Sequence, residues 1–194
     1  MEKMTLVFGG SFNPPTIAHL KIMETLLAHF ANATLLILPV GNDYSKPELE
    51  LLEHRHNMLK LLTKDYQQIK ILDLEGKREY LGTLASLDEL AKEYQNIHFV
   101  IGADQIEQID KWINYRTLLK KYPFIVMDRN NLFNSESIKE KLTGIEYNFK
   151  YLDFDINISG TAVRSNHENR KKGLTKEVLD YIEKNNLYEE KNDV

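Results

Sequence analysis

The chain has 194 residues, 42% of them hydrophobic, a formal net charge of −4 and no cysteine. That length exceeds the modal domain of about 100 to 150 residues yet stays within a single α/β unit with a sizeable core. The charge argues against a general nucleic-acid binder, and the absent thiols exclude disulfides, thiolate metal sites and a cysteine nucleophile.

In chain order, Thr5-Leu6-Val7-Phe8 reads as a buried strand that ends on Gly9-Gly10, followed by Ser11-Phe12-Asn13-Pro14-Pro15 and a helix from Ala18 to Phe30. Thr34 to Leu38 is a second strand, closed by Pro39 and the turn-prone Gly41-Asn42-Asp43, and Leu51 to Thr63 has the apolar spacing of a helix packed on a sheet. A short strand at Ile69–Leu72, a helix from about Thr83 to Tyr94, and strands at His98–Ile101, Phe124–Met127 and Tyr151–Phe154 follow, the last of them more exposed. The stretch from Asn130 to Lys150 is polar, lacks clear strands and is expected to cover a rim, and the residues after Tyr188 are expected to fray. Alternation of this kind predicts a Rossmann-like doubly wound parallel sheet of five or six strands, helices on both faces, in one domain over 1–194. Residues 155–190 form its C-terminal helical part. The N-terminus enters a strand without a basic-then-apolar leader, and no apolar run nears the roughly 20 residues that span a bilayer, so the expectation is a cytoplasmic protein without a membrane partner.

Ligands of such sheets bind beyond the carboxyl ends of the strands. Gly9-Gly10, the loop from Gly41 to Lys46, and Gly102-Ala103-Asp104 should therefore share one edge. The glycine turn allows close approach of a phosphate, and the following helix N-terminus offers free N–H groups near Thr16 and His19. The same turn also suits a ligand-free βα connection. Near the other end, Ser159, Thr161 and Arg164 in Ile158-Ser159-Gly160-Thr161-Ala162-Val163-Arg164 bring hydroxyls, amides and a guanidinium together for an anion, although Ser-x-Thr before a helix is most often a plain cap. His19 alone would pass for a cap histidine. Trp112 is either core packing or a stacking platform for a flat base. His54 and His56, flanking Arg55, read as solvated; no ligand set accompanies them, and a metal held by protein groups is not expected. Lys46 is a loop cation within reach of the ligand edge.

Together these stretches resemble a family. GGSFNPPTIAH resembles the (H/T)xxH motif of the nucleotidylyltransferases and ISGTAVR their ISxTxxR motif, while IGADQIEQIDKW and YIEKNNLYEE are similar to segments of the bacterial nicotinate-mononucleotide adenylyltransferases. The resemblance spans almost the whole chain. It implies adenylyl transfer from ATP to nicotinate mononucleotide in NAD biosynthesis, with Mg²⁺ arriving on ATP, and with no nucleic acid involved. It also implies roles: His19, Thr16, Lys46 and Arg164 as the catalytic phosphate-handling set; Gly9, Gly10, Ser11, Phe12, Gly102, Asp104, Ser159 and Thr161 for ATP; and Trp112, Asn42, Tyr80 and Thr83 for the acceptor. The chain departs from the family pattern in places. Thr16 and Ala18 stand where histidine and glycine are usual, Ser45-Lys46 replaces a His-Lys pair, Arg78-Glu79-Tyr80-Leu81-Gly82-Thr83 replaces GPSYTxDT, and Asp128-Arg129-Asn130 lacks the usual Arg-Pro-Gly. Threonine at the first position is also seen in phosphopantetheine adenylyltransferases. The alternatives are thus another phosphorylated acceptor, such as nicotinamide mononucleotide or phosphopantetheine, or a nucleotide-sensing protein of the same fold. A homo-oligomer remains an option.

Overall fold

Strands β1 (Thr5–Gly10), β2 (Thr34–Pro39), β3 (Ile69–Ile71), β4 (Ile97–Gly102), β5 (Phe124–Arg129) and β6 (Phe149–Phe154) form one parallel sheet in the order β3-β2-β1-β4-β5-β6. The computed structural model describes residues 3–43, 48–77, 79–129, 135–154, 163–164 and 167–188. The chain winds outward from β1 to β3, returns to lay β4 against the free side of β1, and winds outward again to β6. The reversal falls between β1 and β4, where neighbouring loops leave in opposite directions and open a crevice.

Each central strand is buried on both faces because helices cover both, which is why these strands read as continuous apolar runs. Leu6, Phe8, Leu35, Ile37, Val100 and Ile125 point to one side, against Ile22, Met23 and Leu26 of α1 (Ile17–His29). Val7, Leu36, Phe99 and Val126 point to the other, against Leu87 and Leu90 of α3 (Thr83–Leu90) and Leu118 of α5 (Tyr115–Lys121). Between α3 and α5 the chain forms the short α4 (Ala103–Ile106) and a 3₁₀ turn at Ile109–Lys111. A third cluster joins Met58 and Leu62 of α2 (Leu52–Leu62) to Val163, to Leu174, and to Val178 and Ile182 of the C-terminal helix, Lys176–Lys184.

Two expectations change. The stretch from 130 to 150 does more than cover a rim: α6 (Ser135–Lys141) lies within it, and Ile138 and Leu142 are buried in the core beneath β4 and β5. Its polar composition hides a single apolar stripe. β6 begins at Phe149, two residues earlier than its apolar pattern suggests, because Phe149 pairs with Phe124 and their rings sit 5.7 Å apart. As an edge strand it buries only Leu152 and Phe154 fully, so its signal is half that of a central strand. The last helices complete the numbering as α7 (His167–Gly173) and α8 (Lys176–Lys184). The residues after Tyr188 lie outside the described residues.

Gly41, just past β2, passes so close to the loop after β3 that a Cβ there would stand 2.2 Å from the Glu75 carbonyl oxygen. Gly41→Ala should therefore cost about 1–3 kcal/mol through overpacking against backbone. An unchanged urea midpoint would show that the two loops are free to separate.

Candidate active site

Beyond the carboxyl ends of β1 and β4 lies a cleft of about 850 Å³. Gly9, Gly10, Ser11, Thr16 and His19 line it from the β1 side, and Gly102 and Asp104 from β4; Tyr80, Thr83, Lys111, Trp112 and Ile113 complete it. Of the three predicted stretches, the glycine turn and Gly102 to Asp104 meet at this edge, while residues 44–46 of the third lie outside the described residues. Phe99 forms the bridge between the two ends of the cleft. A Cβ on Gly9 would come within 2.8 Å of its ring and would have to push that ring aside, and Trp112 packs edge-on against the same ring at 6.1 Å.

Thr16 is the N-cap of α1 in a capping box with His19, three residues on. The Thr16 backbone N–H donates to His19 Nδ1 at 2.9 Å, and the Thr16 hydroxyl lies 2.8 Å from the same nitrogen. A backbone N–H can only donate, so Nδ1 must keep its lone pair, and the neutral ring carries its proton on Nε2. Thr16 itself is fully buried, so it acts on the cleft by fixing the orientation and tautomer of His19. Phe12 buttresses that ring from behind, 5.1 Å away and 1% exposed, with a left-handed φ of 46°. Its side chain belongs to the wall and does not line the cleft.

Other predicted residues hold the walls as well. Asn42 does not line the cleft; its Oδ1 accepts the Leu52 N–H at 2.8 Å and so caps α2. Arg164 lies behind the glycine turn, where its guanidinium donates to the Asn13 carbonyl at 2.6 Å and comes within 3.9 Å of the Glu48 carboxylate. Lys46, Ser159, Thr161 and Arg78 lie outside the described residues.

Arg55 stands between the two histidines that read as solvated, and the structure places its own side chain in the interior. It is wholly buried, donating from Nε to the Glu50 carbonyl at 2.8 Å and from its terminal nitrogen to the Ser11 carbonyl at 2.9 Å. Burial pulls its guanidinium down from 12.5 to about 10, which still leaves a cation at neutral pH. The signal was present in the spacing, since Arg55 falls on the buried stripe of α2 with Leu52, Met58, Leu59 and Leu62. Its neighbours are likewise not simply solvated: His54 Nδ1 lies 3.0 Å from the Tyr181 hydroxyl, and burial pushes the His56 imidazole below its usual range.

Sequence reasoning also missed the acidity of the lining. Glu75, Asp104, Glu107 and Asp128 all line the cleft, with Lys111 as the one Lys or Arg among the lining side chains of the described residues. Glu75 is buried and accepts a hydrogen bond from the Ser86 hydroxyl at 2.8 Å. These carboxylates do not gather: among the described residues no three metal-binding groups cluster. By charge alone such a lining attracts cations and repels a bare anion.

A family model described as cytidylyltransferase-like matches residues 7–166. A protein of Acholeplasma laidlawii named as a probable nicotinate-nucleotide adenylyltransferase is 40% identical, over 96% of this chain and 98% of its own length. A similarly named protein of Caldicellulosiruptor saccharolyticus is 32% identical, over 95% and 98%. Among solved structures, the nicotinic acid mononucleotide adenylyltransferase of Plasmodium falciparum in complex with NaAD superposes with a TM-score of 0.77 at 27% identity, covering 96% of this chain and 97% of that one. The same enzyme in complex with APC gives 0.76 at 26% identity.

Replacing Thr16 by valine keeps the shape and removes the hydroxyl, so the helix cap should weaken by about 1 kcal/mol. The backbone N–H to Nδ1 remains, and ¹⁵N NMR of the imidazole should still report the Nε2–H tautomer as the major form, now with a second tautomer detectable. A wild-type spectrum and melting point together would remove the hydroxyl from the pair.

Proposed function

The chain belongs to the cytidylyltransferase-like family, alongside relatives named as nicotinate-nucleotide adenylyltransferases, and from that membership we propose that it transfers the adenylyl group of ATP to nicotinate mononucleotide. The products are the deamido dinucleotide, a precursor in NAD biosynthesis, and pyrophosphate. The observation that supports this reading is one cleft lined by both His19, whose Nδ1 accepts the Thr16 N–H, and the indole of Trp112. The Plasmodium falciparum structures with NaAD and APC support small-molecule substrates of this size.

A phosphate oxygen of the acceptor attacks the α-phosphorus of ATP. The bond from that phosphorus to the oxygen bridging toward the β-phosphate breaks, and its electron pair leaves with pyrophosphate. No covalent enzyme intermediate is needed, so the protein's task is to align the two phosphates and stabilise charge on their oxygens. His19 Nε2–H donates to a phosphate oxygen, Thr16 holds it in place, and the first N–H groups of α1 add their partial positive charge. Gly9 and Gly10 let the triphosphate approach the backbone, with Ser11 beside it. Lys46 and Arg164 neutralise the leaving pyrophosphate, and Ser159 and Thr161 grip it. Gly102 and Asp104 border the adenosine ribose. Trp112 stacks on the pyridine ring, with Tyr80 and Thr83 at its side, while Asn42 and Phe12 contribute through the walls they brace. The acid-rich lining suits a nucleotide that arrives with Mg²⁺ on its phosphates and water, and such an ion adds charge neutralisation at the leaving group. The cytoplasm, where ATP is abundant, is the place for such a reaction.

A second acceptor has one observation in its favour. Glu75 and Glu107 line the cleft with Lys111, and carboxylates near the acceptor ring would favour the neutral amide of nicotinamide mononucleotide over the nicotinate carboxylate.

Pyrophosphate release from Mg-ATP with a panel of phosphorylated acceptors tests both readings, and nicotinate mononucleotide should give the highest kcat/KM; no turnover with any acceptor would refute adenylyl transfer. His19→Ala should lower kcat by about 10²- to 10⁴-fold with the circular dichroism unchanged. Trp112→Ala should raise the acceptor KM by roughly tenfold or more, the worth of about 1–3 kcal/mol of stacking, with the KM for ATP unmoved. An unchanged acceptor KM would take the ring off that platform.

A further inference from the structure

Asn13 sits two residues after Ser11 and three before Thr16, at the turn that sets both, and it is 3% exposed. Its polar atoms are spent on other parts of the chain. Its Nδ2 donates to the Glu48 carbonyl at 2.8 Å, its Oδ1 accepts from the Glu50 N–H at 3.1 Å, and its own carbonyl accepts from Arg164 at 2.6 Å. The remaining tie comes from the far end of the chain: the Tyr188 hydroxyl donates to Asn13 Oδ1 at 2.8 Å, across 175 positions of sequence.

Tyr188 is built into that place. It follows the end of α8 with a left-handed φ of 59°, a conformation that non-glycine residues adopt only when their surroundings hold them. Leu187 beside it is buried against α2, and Arg170 of α7 donates to the Tyr188 carbonyl and, at 3.3 Å, to the Arg164 carbonyl. Burial pushes the phenol well above its usual range, so it remains a donor at any working pH. Arg170, Arg164, Asn13 and Tyr188 thus form a closed ring that joins the C-terminal helices to the glycine turn.

We propose that Tyr188 is a positioning residue: through Asn13 it fixes the turn that presents Ser11 and the Thr16–His19 pair to the cleft. A purely structural role would make Tyr188 one more anchor of the third hydrophobic cluster, with no particular effect on His19. The two roles separate because the hydroxyl can be removed while the ring and its packing stay.

The test is Tyr188→Phe beside Ile182→Ala, a packing change elsewhere in the same cluster that touches none of these hydrogen bonds. In the ligand-free protein, the His19 imidazole ¹⁵N signals should shift or broaden in Tyr188→Phe and stay at their wild-type positions in Ile182→Ala. In the pyrophosphate assay, Tyr188→Phe should lose about tenfold in kcat, the worth of one buried hydrogen bond, with the acceptor KM unchanged. Ile182→Ala should lower the melting point with kcat retained. Wild-type His19 signals in Tyr188→Phe would overturn the proposal, as would an equal loss of kcat in both variants. The kinetic measurement rests on the adenylyl-transfer reading and the spectroscopic one does not, so an inactive wild-type protein would defeat that reading while leaving the positioning role to be decided by NMR.

Discussion

The close passage of β1 beside Phe99 governs the rest of the molecule. β1 and β4 are the adjacent strands between which the winding reverses, β1 leading outward to β2 and β4 to β5, so the crevice must open at their carboxyl ends. For the chain to leave β1 there, it has to pass the Phe99 ring, and Gly9 makes room for it. The same ring carries Trp112, so one aromatic side chain sets the spacing between the glycine turn and Trp112. Replacing either partner of this contact would move both ends of the cleft at once.

A turn with two glycines has little stiffness of its own, and the structure supplies it from outside. Arg55 donates to the Ser11 carbonyl, Arg164 to the Asn13 carbonyl, and the Asn13 amide is tied to the loop at Glu48 and Glu50. Two of these three anchors are guanidinium groups behind the turn, so their charge reaches the cleft without their side chains lining it. This matters because the lining is rich in carboxylates. Positive charge near the cleft then comes from Arg55 and Arg164, which hold the turn, and from the α1 N-terminus.

The Thr16–His19 pair shows how a departure from a family pattern can be absorbed. Where a histidine is usual, threonine serves as an N-cap, and its backbone and hydroxyl both meet Nδ1 of the remaining histidine. One imidazole is given up and the other gains a fixed tautomer.

Much of this was legible in the residues alone. Apolar runs closed by Gly9-Gly10, by Pro39 with Gly41, and by Gly102 located β1, β2 and β4, and the alternation of strand and helix determined a parallel sheet; that in turn put the glycine turn and Gly102 to Asp104 at one edge, because parallel connection leaves all strand ends pointing the same way. Local patterns carry such information, since strand burial and helix phase depend on neighbours within a few residues. What only the tertiary structure decided were the contacts between distant stretches: Arg55 reaching Ser11, Arg164 and Tyr188 reaching Asn13, and Glu75 and Asp128 arriving at the cleft. A buried arginine and a solvated one look alike in a sequence, and so do an amide that binds a ligand and one that caps a helix, as Asn42 does. Their roles follow from which carbonyl or N–H the fold brings within hydrogen-bond distance, a matter of packing across the whole chain that no local spacing encodes.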